Sequence, residues 1–187
     1  RGGEGFAQLL RMNPDGTGME TVAKGIRNTV GFDWRPTDKT LWFTDNGRDM
    51  LGDDIPNDEL NHITKAGEHF GYPYCHQGDT LDPEFGKGKN CKDYTPPVLK
   101  LGPHVAALGA RFYTGKQFPA AWHGALIVAE HGSWNRSAKS GYRVMTVRLN
   151  GNKVVGYEPL VEGFLKDEKV SGRPADVQPL PDGSLLV

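Results

Sequence analysis

Short runs in which apolar and polar residues alternate make up most of this chain, and Gly, Pro, Asn or Asp closes nearly every one. Ala7-Gln8-Leu9-Leu10-Arg11-Met12-Asn13 is the first. Pro14-Asp15-Gly16-Thr17-Gly18 then supplies a fixed φ followed by positions suited to φ > 0, and Met19 to Gly25 returns, so the spacing predicts a hairpin. Val30 to Arg35 alternates again, Pro36-Thr37-Asp38-Lys39 turns, and Thr40-Leu41-Trp42-Phe43-Thr44 is β-branched and aromatic enough for a buried strand. Trp34 and Trp42 are expected in the core. Further strands are predicted over 59–64, 109–114, 125–129, 142–149, 153–161, 174–180 and 184–187. Residues 66–103 read as a long inserted loop, which in a compact domain is functional or carries small structure of its own. No segment keeps a helical period beyond a turn or two, so the class is all-β.

The units repeat. Arg11, Asn13, Val22 and Gly25 of the first hairpin match Arg148, Asn150, Val161 and Gly163, and each hairpin is followed by an arginine, Arg27 or Arg173, then strand, turn and strand. Four-stranded antiparallel units around a channel are the pattern of a β-propeller, with a β-sandwich as the alternative. About three blades fit into residues 1–187, so the whole reads as a fragment of one propeller domain, truncated at both ends. The chain starts at Arg1 rather than Met and stops within the predicted strand 184–187, in keeping with that expectation.

Composition narrows the partners. A net charge of −1 with no Lys/Arg run disfavours nucleic acid, and no apolar run approaches the roughly 20 residues of a membrane span. The 25 Gly and 13 Pro sit at the ends of strands, which is turn chemistry rather than low complexity. Cys75 and Cys91 lie in a segment of Gly, Pro and Asp with little core of its own. A disulfide between them would stabilise that segment and indicate an oxidising compartment; two unrelated buried thiols are the alternative.

Three stretches carry chemistry. Arg27-Asn28, at the head of a strand, offers a guanidinium fork and a donor–acceptor amide, and Arg173 at the repeat-equivalent place could hold the same anionic ligand from a second side. Asn46-Gly47-Arg48-Asp49, Asp53-Asp54 and Asn57-Asp58-Glu59 gather oxygen ligands of the kind calcium takes, without EF-hand spacing; a solvated acidic loop is the bland reading. Glu130-His131-Gly132-Ser133-Trp134-Asn135-Arg136 follows a buried strand, where binding loops sit on rigid scaffolds. It lacks the Gly-x-Ser-x-Gly of a serine hydrolase.

Gly31-Phe32-Asp33, Thr44-Asp45-Asn46-Gly47-Arg48, Asp58-Glu59-Leu60-Asn61, His69 to Cys75, Leu101-Gly102-Pro103-His104, Arg111 to Gly115 and Glu130 to Arg136 together resemble the glucose/sorbosone dehydrogenase family, its L-sorbosone dehydrogenase branch in particular. The resemblance implies a six-bladed propeller, periplasmic or secreted, that binds pyrroloquinoline quinone and Ca²⁺ and oxidises the anomeric or aldehyde carbon of a sugar. It further implies an electron acceptor such as cytochrome c or another quinone. By position, Arg27 and Asn28 match a cofactor-contacting pair, and the carbonyls of Gly47 and Arg48 match the calcium ligands. Arg173 matches an arginine that pairs the cofactor's carboxylates, its companion place being Ala175, and His131 falls where the glucose enzymes have a cofactor lysine. His104 and Trp134 line the substrate pocket. The family's base is a histidine with no counterpart in these residues, so none is assigned and this stretch alone is expected to be inactive. A non-catalytic carbohydrate-binding propeller and, more remotely, a sugar-lactone hydrolase are the competing readings.

Overall fold

A computed structural model describes residues 5–187, and residues 1–4 of the span read as one propeller domain lie outside the described residues. Its strands are β1 (Gln8–Arg11), β2 (Glu20–Lys24), β3 (Phe32–Trp34), β4 (Leu41–Asp45), β5 (Asn57–His62), β6 (Glu68–His69), β7 (Cys75–His76), β8 (Thr80–Leu81), β9 (Leu99–Pro103) and β10 (Ala107–Phe112). They continue through β11 (Leu126–Glu130), β12 (Arg143–Asn150), β13 (Lys153–Val161), β14 (Leu165–Lys166), β15 (Lys169–Val170), β16 (Gln178–Pro179) and β17 (Leu185–Leu186). Two four-stranded antiparallel sheets, β3-β4-β5-β9 and β10-β11-β12-β13, are complete blades. The sheet β1-β2-β6 flanks the first and the pair β16-β17 the second. The fold is therefore all-β, a partial propeller, with no α-helix among the described residues.

Period-two alternation explains the stacking, because each central strand is buried on both faces. On β4, Trp42 enters the core between the two blades while its neighbour Phe43 enters the core under β1 and β2. On β11, Leu126 and Val128 face the first blade, and Ile127 and Ala129 face β16-β17. Trp34 departs from the expectation: it is 53% exposed, edge-on to Phe32, on the wall of an open cleft shared with Leu9, Leu10 and Val22, so the β1–β2 hairpin does not cover it.

Innermost strands of successive blades nearly touch. A Cβ on Gly31 would lie 2.0 Å from the Leu108 carbonyl oxygen, and one on Gly109 would lie 2.1 Å from Asp176 Oδ1, so both places require glycine. The outer end is latched by Arg35, which pairs with Asp38, lies over Trp42 and donates to Gly151 O (2.6 Å) and Asn152 Oδ1 (2.6 Å) in the β12–β13 turn.

The segment 66–103 is built rather than loose. Thr80-Leu81 pairs with Cys75-His76, Leu99–Pro103 forms the fourth strand of the first blade, and Cys75–Cys91 is a disulfide. That fourth strand is hidden in the sequence by Gly102-Pro103, which read as punctuation.

Candidate functional site

Strand ends from both blades meet in a cleft of about 170 Å³ that is lined by Arg27, Asn28, Asn46, Gly47, Asp49, Asp58, His104, Ala106, Leu108 and Trp134. Four stretches flagged in the sequence thus converge: the Arg-Asn pair, the Gly47 turn, His104 and Trp134.

The Arg-Asn pair is held from behind. Asp45, at the end of β4, accepts the backbone N–H of Arg27 (2.9 Å) and of Asn28 (2.6 Å), while Asn46 Nδ2 donates to Asn28 O (3.1 Å) and to Ala107 O (3.2 Å). The Arg27 guanidinium pairs with Asp49 (2.8 Å) and donates to Asn46 O (3.2 Å). Among the described residues the Asn28 side-chain amide has no hydrogen-bond partner, and it is exposed to the cleft.

Asp58 joins the two blades beneath the cleft: it accepts Gly47 N–H at 2.7 Å and Ala106 N–H at 2.7 Å. Burial raises its pKa, and burial likewise pushes Asp45 up to about 7 and its cross-strand partner Glu59 up to about 8. These carboxylates support the site from below. Their sequence signal was faint, since Asp58 and Glu59 read as part of an acidic loop; the discoverable sign is an acid ending an apolar strand, as in Leu41-Trp42-Phe43-Thr44-Asp45.

Gly47 packs against Pro56 and Asn57, where a Cβ would come within 2.9 Å of Pro56 Cγ. No donor among the described residues reaches the carbonyl oxygens of Gly47 or Arg48. Nor does any group of three or more His, Cys, Asp or Glu among them have the arrangement to hold a metal, so a cation at this turn would rest on carbonyls. Asp53 and Asp54 are engaged elsewhere: Asp53 Oδ1 accepts Ser137 N–H (3.1 Å), and Arg136 reaches Asp53 O (3.1 Å) and Asp54 (3.3 Å). They tie the 52–54 loop to the Trp134 loop.

His104 has φ +57°, Ala106 has φ +52°, and the His104 ring donates from Nε2 to Gly52 O at 2.8 Å. Non-glycine residues in this region are sparse and concentrate at ligand sites. Trp134 is 68% exposed and presents its indole to the cleft. Its loop is seated on Tyr142, whose hydroxyl donates to Ser133 O (2.5 Å) and whose ring leaves no room for a Cβ on Gly132. Ser133 is buried and its Oγ accepts Ser140 N–H (3.1 Å), away from any base, which removes the serine-nucleophile idea.

Arg173 and His131 are not among the residues lining this cleft. Arg173 lies over the Tyr142 ring (5.0 Å) and donates to Gly132 O (3.3 Å), and the His131 ring sits 3.2 Å from Pro174 O. They form a neighbouring group on the second blade's side.

Two complete blades with a polar cleft across their strand ends define this chain as part of a β-propeller with its candidate site where blades meet. Residues 11–163 match the TrAA12-like family, and the chain belongs to that family. It is 41% identical over 184 residues to an uncharacterized protein of Borreliella burgdorferi, across 96% of this chain and 48% of that one. The chain thus spans about half the length of the curated relative it matches. Among solved structures, a glucose dehydrogenase is 28% identical with a TM-score of 0.66, over 89% of this chain and 42% of that one. Two others share the fold. A Trichoderma reesei structure of Carbohydrate-Active Enzymes Family AA12 has a TM-score of 0.75 at 20% identity, covering 88% and 50% of the two chains. The PQQ domain of pyranose dehydrogenase from Coprinopsis cinerea, in its holo form, has a TM-score of 0.68 at 19% identity, covering 96% and 57%.

Proposed function

We propose that this chain is part of a sugar dehydrogenase of the glucose/sorbosone kind that uses pyrroloquinoline quinone and Ca²⁺. The observation that carries the reading is a pair of adjacent, unengaged carbonyls at Gly47 and Arg48 beside a guanidinium and a free amide at Arg27 and Asn28. Family membership and the likeness to proteins named glucose dehydrogenase and pyranose dehydrogenase PQQ domain support it.

The residues fit the group: carbonyl oxygens suit calcium, and a planar guanidinium suits a carboxylate. Bound there, the quinone would accept a hydride from the anomeric or aldehyde carbon of the sugar while calcium polarises a quinone carbonyl. Arg27 pairs a cofactor carboxylate, Asn28 supplies an amide donor and acceptor, and Asp45 fixes the backbone of both. Arg173 and His131, which lie outside the cleft on the second blade's side, would add a guanidinium and an imidazole to the hold on the cofactor. His104 and the exposed face of Trp134 receive the sugar, whose C–H face stacks on an indole. No residue here is assigned the base that takes the sugar hydroxyl proton.

On this reading residues 1–187 are one part of a single six-bladed propeller domain with an inserted segment at about 66–103. The Cys75–Cys91 disulfide suits a periplasmic or secreted protein, with cytochrome c or a quinone as electron acceptor. Among the described residues no helix is long and apolar enough to cross a membrane. A carbohydrate-binding propeller without redox chemistry is the second reading, favoured by one observation: Arg173 is engaged with Tyr142 and its companion place is Ala175. Reconstituting the full-length protein with quinone and Ca²⁺ and following dye reduction with aldoses separates the two. Sugar binding without dye reduction leaves the binding module, and absence of both overturns the proposal.

A further inference from the structure

Within the disulfide-closed segment, Asp82 is buried while the acids around it are not. Its Oδ1 accepts the backbone N–H of Glu84 (2.9 Å) and of Phe85 (2.9 Å). Its Oδ2 accepts from Arg48 Nη1 and lies 2.7 Å from His76 Nε2. Its own backbone is fixed as well, with Asp82 N–H on Tyr74 O (2.9 Å) and Gly86 N–H on Asp82 O (2.8 Å). Every acceptor position of this carboxylate that points toward protein is occupied, so Asp82 is placed to hold rather than to bind.

What it holds is Arg48. The guanidinium also reaches Glu84 (3.1 Å) and lies 5.8 Å from the Phe85 ring centroid. The same segment grips the other side of the Gly47–Arg48 turn: Gln77 N–H donates to Glu59 (2.6 Å), and Gln77 Oε1 accepts Asn57 N–H (2.8 Å). The turn between β4 and β5 is therefore clamped from both flanks by one segment, and Cys75–Cys91 closes that segment at its base.

We propose that Asp82 is a positioning residue for the Gly47–Arg48 turn, acting through the Arg48 side chain to set the direction of the two carbonyls that receive calcium. This rests on the reading of those carbonyls given above. Calcium ligands must converge to roughly 2.3 to 2.6 Å, and a small rotation at Arg48 swings its carbonyl out of that range. Partners one layer behind metal ligands typically contribute about 10- to 100-fold in affinity.

The test is a double-mutant cycle on the full-length protein, stripped of metal and titrated calorimetrically with Ca²⁺ alone. Asp82→Asn keeps the shape and the Oδ1 acceptor but loses the charge facing Arg48; Arg48→Met removes the half-buried side chain and keeps the carbonyl. Each single change is expected to weaken calcium by about 10- to 100-fold, with the double change no worse than the stronger single one. Unchanged affinity in Arg48→Met, which can be read even if Asp82→Asn fails to fold, overturns the proposal. So do losses that multiply in the double variant, since Asp82 would then act independently of Arg48. Absence of calcium binding in the wild type removes the site itself, and with it both this inference and the reading beneath it.

Discussion

Replacing Asp58 by alanine tests how the cleft is assembled, because one carboxylate spans the two blades there. It accepts the N–H groups of Gly47 and Ala106, both at 2.7 Å, and the residue is 3% exposed. A buried donor left without an acceptor costs about 1–3 kcal/mol, so two give roughly 2–6 kcal/mol. Removing a carboxylate whose burial already raises its pKa returns part of that, which puts the expected destabilisation in the lower half, about 2–4 kcal/mol. Asp58→Asn keeps one acceptor and should cost about half as much. Urea unfolding gives the totals, and amide hydrogen exchange locates them: the Gly47 and Ala106 amides should accelerate well ahead of those in β11. Unchanged exchange at those two amides, or a loss below about 1 kcal/mol, would refute the bridging role.

Other consequences follow from single residues. Glu59 has its pKa raised from 4.5 to about 8 by burial and by Asp45, so between those values the folded protein holds a proton that the unfolded chain has released. Stability should therefore fall as pH rises through that window, and Glu59→Gln should reduce the fall in urea titrations from pH 5 to 8.5 without abolishing it, because Asp45, pushed up to about 7, still releases its proton there. Gly31→Ala forces a Cβ against the Leu108 carbonyl and should cost about 3 kcal/mol or more, read as a lowered urea midpoint; a neutral result would contradict the close blade contact. Removing the Cys75–Cys91 disulfide, which closes a separation of 16 residues, should cost about 3 kcal/mol in the same assay.

Much of the architecture could be read from alternation alone because central strands are buried on both sides, and Trp42-Phe43 and Leu126-Ile127 show that directly by sending neighbours to different cores. Turn residues then marked where strands end, which is also where Arg27, Gly47, His104 and Trp134 come together. Three things were not legible. Trp34 looks like core by composition, yet it faces an open cleft that the β1–β2 hairpin leaves uncovered. Leu99–Pro103 does not look like a strand because its partner, β5, lies about 40 residues back and only tertiary pairing defines it. The buried acids Asp58 and Glu59 look like solvated loop charges in sequence; their burial is created by the 104–108 stretch and the disulfide-closed segment packing over them, and neither is local. Arg27 and Arg173, read from the sequence as repeat-equivalent, take different partners, Asp49 in one case and Tyr142 in the other.

The central claim is that Arg27 and Asn28 beside the Gly47–Arg48 carbonyls form a calcium-dependent quinone site. Calorimetric titration of pyrroloquinoline quinone into the full-length protein, with Ca²⁺ and with chelator, addresses it most directly. The account predicts quinone binding that requires Ca²⁺ and that Arg27→Ala weakens by roughly 1.5 to 3 kcal/mol, the contribution of one charge-assisted hydrogen-bonded contact. Binding that is indifferent to both calcium and Arg27 would contradict it.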